Sequence, residues 1–187
     1  MKQQIKDLKG KPKLLLHVCC APCSSGVLPV LQQYFDIILY YYNPNTYPKD
    51  EYLLRAEQFA KFTNLPLVVC DYDHSEFLNS ITGLEQMPEG STRCQKCIAL
   101  RLESSFKYAK ANNFDYVTTT LSISPHKDAL FINIYGEKLQ QQYNINYLYA
   151  DFKKDNGYLN SINESKRFDL YRQDYCGCEF SIRSNQD

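Results

Sequence analysis

The sequence predicts an α/β domain in which helices flank a parallel sheet. Short apolar segments alternate with amphipathic helical patterns of ten or more residues along the chain. No internal repeat or low-complexity linker interrupts this alternation. With 187 residues, the chain is long enough for one substantial core and too short for two domains of ordinary size. We therefore expect residues 1–187 to form a single domain.

The first half of the chain contains three predicted strands. Residues 13–18 (KLLLHV) are typical of a buried strand, and residues 24–35 follow as a helix with apolar side chains at helical spacing. Residues 36–42 (DIILYYY) form the second strand, and a loop with Asn-Pro and Tyr-Pro dipeptides follows it. Residues 51–63 are predicted as a helix, and residues 65–70 (LPLVVC) as the third strand.

The second half continues the pattern. A helix begins near Cys94, with one apolar face, and residues 114–119 (FDYVTT) form the fourth strand. Residues 129–143 are predicted as a helix and residues 146–150 (NYLYA) as the fifth strand. The polar segment 152–187 is expected to form a helix and loops that fold back over the carboxyl edge of the sheet. Ligand sites gather at this edge in parallel sheets.

Composition excludes several classes of protein. The net charge is zero, which argues against a dedicated nucleic-acid coat. No apolar run approaches the roughly 20 residues that span a bilayer, and the polar, lysine-rich start of the chain does not resemble a secretory signal. We expect a cytoplasmic protein without membrane association, in which paired cysteines indicate metal or catalytic chemistry. The basic arm, residues 1–12, is interpreted as a solvated leader, with phosphate contact as the alternative.

Seven of the eight cysteines form three short clusters. Cys94 and Cys97 are three residues apart at a predicted helix N-terminus, where two thiols share one face and the helix favours thiolates. Cys19 and Cys20 are adjacent, which suits a multi-iron cluster better than a zinc ribbon, whose paired cysteines are separated by two to four residues. Together these four satisfy the four thiolates that a [4Fe–4S] cluster requires.

The remaining cysteines differ in context. A disulfide between Cys176 and Cys178 would close a very small ring, and strained bridges are the labile and catalytic ones. This pair is interpreted as redox-active, or as ligands of a second metal. Cys70 ends an apolar strand, where a buried and inert thiol is expected.

Four blocks of the sequence resemble the epoxyqueuosine reductases of the QueH type. They are LLLHVCCAPCSSGVL at 14–28, RCQKC and the Arg-Leu that follows it within 93–102, TTTLSISPHKD at 118–128, and LYRQDYCGCEFS at 170–181. The blocks are spread along essentially the whole chain, from residue 14 to residue 181, and follow the family's order. The resemblance implies an oxidoreductase of bacterial tRNA modification. Such an enzyme removes the epoxide oxygen of epoxyqueuosine at the anticodon wobble position by two-electron reduction, the last step that gives queuosine.

The resemblance also implies a fold, cofactors and partners. The fold would be related to the HUP group of nucleotide-binding α/β domains (adenine nucleotide alpha hydrolase-like). The enzyme would be independent of cobalamin and use a [4Fe–4S] cluster with an adjacent mononuclear iron. Its partners would be tRNA that carries epoxyqueuosine and an electron donor that the sequence does not identify.

Individual roles follow as hypotheses. The expected cluster ligands are Cys19, Cys20, Cys94 and Cys97. Cys23 is a candidate ligand of the second iron, which would act as a Lewis acid on the epoxide oxygen. Cys176 and Cys178 are assigned as the redox pair. Asp71, after the third strand, is the preferred proton donor over Tyr175, and over His17, which is expected to be a core histidine. The candidates for phosphate contact are Lys127, Arg101 and Arg172.

Two other functions are considered. An ATP-dependent tRNA thiolase of the PP-loop class also joins an α/β fold to an iron–sulfur cluster, but it needs a Ser-Gly-Gly-x-Asp-Ser loop to hold pyrophosphate. Here that position reads Cys-Cys-Ala-Pro-Cys-Ser-Ser-Gly, without paired glycines or an aspartate. A non-enzymatic, zinc-stabilised RNA-binding module would instead contain stoichiometric zinc and no iron.

Overall fold

A computed structural model describes residues 1–182 and shows one five-stranded sheet in the order β3-β2-β1-β4-β5. The strands are β1 Lys13–His17, β2 Asp36–Tyr41, β3 Leu67–Val69, β4 Tyr116–Thr119 and β5 Asn146–Tyr147. Every pairing is parallel, and Leu16 of β1 is opposite Leu39 of β2 and Thr118 of β4. The predicted α/β class with a parallel sheet is confirmed.

Helices cover both faces of the sheet. The α-helices are α1 Lys2–Lys6, α2 Ala21–Ser25, α3 Leu28–Leu31, α4 Lys49–Glu57, α5 His74–Ser80, α6 Thr92–Ala111, α7 Ala129–Tyr143 and α8 Gly157–Arg167. Short 3₁₀-helices are formed by Gln58–Lys61, Thr120–Ile123 and Glu179–Ser181. Within residues 1–182, none of the helices combines the length and the apolar character that crossing a bilayer requires.

Strand β1 lies at the centre of the molecule because both of its faces are buried. Leu14, Leu15 and Leu16 are each 0% exposed, and successive side chains of a strand point to opposite faces. Leu14 and Leu16 enter the core formed with α2, α3 and α4, whereas Leu15 enters the core formed with α6 and α7. The continuous apolar run that predicted this strand reflects burial on both sides.

The helix predicted over residues 24–35 is wrong, because the chain forms α2 and α3 instead. Gly26 ends α2 where α8 packs closely, and a Cβ at this position would lie 2.7 Å from the backbone nitrogen of Ser161. Pro29 then lies in the first turn of α3, where its missing N–H is tolerated. Local packing against a distant helix therefore divides a segment whose apolar spacing is continuous.

Other elements differ from prediction mainly at their ends. Helix α4 begins at Lys49, and the predicted end of this helix is the 3₁₀-helix Gln58–Lys61. Helix α5 was not predicted, because it is short and has a single buried residue, Phe77. Its N-cap is Asp73, which accepts a hydrogen bond from the backbone of Ser75 at 2.9 Å. Strands β3 and β5 are shorter than their apolar patterns suggest.

The basic arm does not behave as a solvated leader. It contains α1, and the side chains of Met1, Ile5 and Leu8 pack against the core on the α2–α4 side of the sheet. Gln4 fixes the helix further, because its amide donates to the carbonyl of Tyr147 at 2.8 Å. The apolar residues spaced among the lysines therefore anchor this segment.

Candidate metal and redox site

The candidate site lies where the strand order reverses. In the sheet, β2 and β3 extend from one side of β1, and β4 and β5 extend from the other. Cys19 follows β1, and its backbone N–H donates to the hydroxyl of Thr120, just after β4, at 3.2 Å. The crevice between two such strand ends is where open α/β sheets bind ligands.

Three thiols cluster at this point. The Sγ atoms of Cys19, Cys20 and Cys23 lie within 4.8 Å of one another, and those of Cys19 and Cys20 are 3.9 Å apart. Pro22 lies in the first turn of α2, which brings Cys23 back over the adjacent pair. Within residues 1–182, this is the one group of three or more Cys, His or acidic side chains with metal-ligand spacing. The structure thus adds Cys23 to the pair that the sequence predicted to share one centre.

The three thiols differ in how readily they lose their protons. Hydrogen bonds from the thiols of Cys20 and Cys23 hold the pKa of Cys19 well below its usual value. The hydrogen bond to Cys19 raises the pKa of Cys20 to about 12, and separate hydrogen bonds to Cys19 and Cys20 raise the pKa of Cys23. Cys19 is therefore the thiol that loses its proton most readily, and Cys20 and Cys23 hold their protons more firmly. A metal that binds all three must displace those protons, so its affinity should rise with pH.

A second group of four thiols lines a narrow cavity of about 30 Å³. Cys94 and Cys97 lie in the first turns of α6, as predicted. Cys176 and Cys178 come from the C-terminal segment, which folds back over this edge of the sheet as expected. Burial raises the pKa of Cys97 to about 11 and also raises the pKa of Cys178. These four thiols are thus gathered from two regions of the chain about 80 residues apart.

Arg101 connects the two thiol groups electrostatically. Its guanidinium is 3% exposed and donates from Nε to the carbonyl of Cys97 at 3.2 Å. Burial alone would lower the pKa of Arg101, but its electrostatic interactions with the sulfurs of Cys97, Cys176 and Cys19 outweigh burial and raise it. Sulfurs of both groups therefore face this one cation. Arg101 lies too deep for the surface phosphate contact that the sequence suggested.

A larger, more polar cavity of about 210 Å³ adjoins the first. Cys19, Cys23 and Cys176 line it together with Asn45 and Arg55. Asn45 Oδ1 and Arg55 Nη2 are buried and have no hydrogen-bond partner within residues 1–182, which is uncommon and costly for buried polar atoms. The cavity thus offers an acceptor and a donor that a bound polar group would satisfy.

The segment that carries Cys176 and Cys178 is held by its backbone. Arg55 donates to the carbonyl of Cys176 at 3.2 Å, and the N–H of Tyr47 donates to the carbonyl of Gly177 at 2.8 Å. Gly177 has a φ of +134°, and a Cβ there would lie 3.0 Å from Arg55 Nη1. The backbone conformation therefore favours glycine between the two cysteines, and a side chain there would crowd Arg55.

Two predicted residues lie apart from the cavities. Asp71 is exposed and lines neither cavity, so its position lends no support to the predicted role as proton donor. His17 is a core histidine, as expected. It is 0% exposed, with Nδ1 2.8 Å from Thr119 Oγ1 and Nε2 3.1 Å from the carbonyl of Tyr42. Burial and the nearby positive charge of Arg101 lower the pKa of His17 to about 4.

Of the other residues singled out in the sequence, some line a cavity and some do not. Tyr175 and Arg172 line the larger cavity. Cys70 is half-buried rather than fully buried, because it lies at the end of the edge strand β3. Sequence reasoning missed Asn45 and Arg55, although the loop that contains Asn45 follows β2 at the same sheet edge and this position was a usable signal.

A parallel α/β domain with seven thiols at the carboxyl edge of its sheet, next to buried cations, is an arrangement typical of metal-binding or redox proteins. Comparison with known proteins narrows this class. The sequence model of the family described as epoxyqueuosine reductase QueH matches residues 14–184. The chain belongs to the epoxyqueuosine reductase QueH family.

Individual relatives agree along most of the chain. An epoxyqueuosine reductase QueH of Streptococcus pyogenes serotype M1 is 41% identical over 182 residues, which cover 92% of this chain and 71% of the relative. The protein of the same name from Haemophilus influenzae is 37% identical, and the alignment covers 99% of this chain and 78% of that protein. The epoxyqueuosine reductase QueH of Thermotoga maritima is 31% identical, and the alignment covers 93% of this chain and 92% of that protein.

Proposed function

We propose that this protein is an epoxyqueuosine reductase that acts on tRNA. It removes the epoxide oxygen of epoxyqueuosine at the anticodon wobble position by two-electron reduction and leaves the ring alkene of queuosine. Membership of the family supports this proposal. The structural observation that carries it is the position of Cys176, which lines both cavities. The sulfur that we assign to the redox pair thus borders the other thiols on one side and a polar cavity on the other.

The donor set fits the cofactors that the resemblance implies. We assign the [4Fe–4S] ligands as Cys19, Cys20, Cys94 and Cys97. Thiolates are the ligands of such clusters, and the positive charge of Arg101 faces Cys19, Cys97 and Cys94 together. Cys23, within 4.8 Å of Cys19 and Cys20, would contribute to holding an adjacent iron. When bound, these groups would supply single-electron transfer and Lewis acidity toward the epoxide oxygen.

The chain itself supplies a two-electron couple. Oxidation of the Cys176 and Cys178 thiols to a disulfide releases two electrons and two protons. Reduction of the epoxide consumes two of each and gives an alkene and water, so one dithiol balances one turnover. An external electron donor must then reduce the disulfide. Arg55 and the backbone N–H of Tyr47 hold the backbone of this pair in the dithiol state.

The finer expectations belong to the same proposal. We infer a cytoplasmic, cobalamin-independent enzyme whose domain is related to the HUP group, which the parallel order β3-β2-β1-β4-β5 supports. The role of Asp71 as proton donor stays a prediction. Full turnover by an Asp71→Asn variant would show that Asp71 is not the proton donor.

Anaerobic metal analysis combined with an activity assay tests the proposal. We expect about four irons and four acid-labile sulfides per chain, with additional iron for a separate ion. With reductant, the protein should convert epoxyqueuosine to queuosine in tRNA, measured by nucleoside mass spectrometry. Cys94→Ser should lose sulfide and conversion. Cys70→Ser is the matched control, because Cys70 lines neither cavity.

The competing functions predict different results. Zinc without sulfide after anaerobic reconstitution would contradict the reductase and favour the zinc-stabilised RNA-binding module. A requirement for ATP would favour the tRNA thiolase. Loss of sulfide in Cys70→Ser together with retention in Cys94→Ser would show that the assigned ligand set is wrong.

A further inference from the structure

Lys127 occupies a position that the redox and metal assignments do not use. Its side chain lines both the narrow cavity and the larger polar cavity. Its Nζ donates to the Sγ of Cys176 at 3.2 Å. The backbone is also fixed, since the N–H of Lys127 donates to the carbonyl of Ser124 at 3.3 Å. An ammonium group is thus held beside the sulfur that connects the two cavities.

The ammonium carries its charge in this site. Burial alone would lower the pKa of Lys127, but its electrostatic interactions with the sulfurs of Cys176 and Cys19 outweigh burial and raise it. Lys127 is only partly exposed and contacts a thiol, so its environment differs from that of a surface lysine that contacts phosphate. The group is a fixed positive charge inside the site rather than part of the outer surface.

The proposed reaction needs positive charge at one atom. As a C–O bond of the epoxide breaks, negative charge develops on the oxygen. Hydrogen-bond donors placed in advance at such an atom are among the largest contributors to catalysis. We propose that Lys127 is a catalytic residue whose ammonium donates a hydrogen bond to the epoxide oxygen and stabilises the negative charge that develops there. This inference rests on the proposed reductase function.

The balance of the reaction is unchanged by this role. The Cys176 and Cys178 dithiol gives two electrons and two protons and becomes a disulfide. One C–O bond breaks after the other, the oxygen leaves as water with both protons, and the ring alkene forms. Lys127 contributes charge and a hydrogen bond and is not consumed.

Neighbouring cations fit this role less well. Arg101 is buried, and its Nε and Nη1 already donate to the Cys97 carbonyl and, at 3.4 Å, to Asn43 Oδ1. His126 also lines both cavities, but it is exposed, and within residues 1–182 no hydrogen bond joins its ring to a thiol. Arg55 also lines the larger cavity, but it donates to the backbone carbonyl of Cys176 and not to its sulfur. Within residues 1–182, Lys127 is therefore the cation whose side chain is hydrogen-bonded to the sulfur beside which the oxygen would react.

The test is the single-turnover rate of the prereduced, metal-loaded enzyme with tRNA that carries epoxyqueuosine. Lys127→Gln should lower this rate by about 10²- to 10³-fold, the usual effect of removing one such donor. Lys127→Arg should retain more activity than Lys127→Gln because it keeps a charged donor. Lys127→Ala should recover activity in a saturable manner when methylammonium or ethylammonium is added. Lys110→Gln is the matched control, since Lys110 is an exposed lysine in the last turn of α6 that lines neither cavity.

Two further measurements separate catalysis from structure. Iron and sulfide content and tRNA affinity should each stay within about twofold of the wild-type values in Lys127→Gln. The inference is overturned if Lys127→Gln reacts at the wild-type rate, or if its loss is explained by lost iron or weaker tRNA binding and no ammonium restores it. A wild-type protein that converts no epoxyqueuosine would instead refute the proposed function, and the inference with it.

Discussion

Burial of His17 predicts a specific pH dependence of stability. Its pKa is about 4 in the folded protein and about 6.5 in an unfolded chain. The unfolded chain therefore takes up a proton more readily, and the free energy of unfolding falls as the pH drops below about 6.5. The loss ends near pH 4, where the ring is protonated in both states. At about 1.4 kcal/mol per pH unit, the total loss is about 3 kcal/mol.

About 2 kcal/mol of this loss should occur between pH 7.5 and pH 5.0. Urea unfolding of reduced, metal-free protein at these two pH values measures it. In His17→Gln the corresponding part of the pH dependence should disappear, because the glutamine amide does not titrate in this range. The test compares the change in unfolding free energy between the two pH values in the wild type with the same change in the variant. Groups that titrate in both proteins, such as Cys19, contribute to both changes and cancel.

The result that refutes this reasoning is equal pH dependence in the wild type and in His17→Gln. It would mean that His17 titrates in the folded protein as it does in the unfolded chain. The hydrogen bonds of the ring to Thr119 and to the carbonyl of Tyr42 would then belong to a charged imidazolium. A lower stability of His17→Gln at both pH values would not affect the test, because the prediction concerns the difference between them.

Three further perturbations have defined outcomes. Gly136→Ala places a Cβ 2.4 Å from the ring of Tyr147, so the free energy of unfolding measured in urea should fall by about 1–3 kcal/mol. Adding Tyr147→Leu to this variant should reduce the loss, because it removes the ring. Gly177→Ala imposes a side chain at a φ of +134° beside Arg55. The rate of epoxyqueuosine conversion should therefore fall while the iron content stays unchanged. An unchanged rate would show that this backbone geometry is dispensable. Asp128→Ala removes the N-cap of α7 and should lower stability by about 1 kcal/mol, whereas Asp128→Asn should restore most of it.

The sequence predicts those elements whose pattern is set by burial. Strand β1 was recognised because its continuous apolar run reflects burial on both faces, and α7, at residues 129–143, was predicted with the correct ends. The predicted helix over residues 24–35 failed because the approach of Ser161 to Gly26 is a contact between distant parts of the chain. Helix α5 was missed because a single buried side chain, Phe77, leaves no periodic pattern.

The site was predictable as a set of residue types and less so as an arrangement. Short spacings identified the cysteine clusters, since local sequence determines which thiols are near one another along the chain. Spacing does not show that Cys176 faces Cys94 and Cys97, because that contact depends on the path of the C-terminal segment. Arg55 was missed for the same reason, since its partner, the carbonyl of Cys176, is 121 residues away.

The way in which the C-terminal segment is anchored bears on how it can work. Residues 171–178 form no helix or strand, yet they carry a pair of thiols that must change covalent state in the proposed reaction. The anchors are backbone carbonyls, that of Cys176 to Arg55 and that of Gly177 to Tyr47. Because these hydrogen bonds do not involve sulfur, they can persist in both the dithiol and the disulfide state. A redox pair fixed in this way can transfer electrons repeatedly without releasing the segment that positions it.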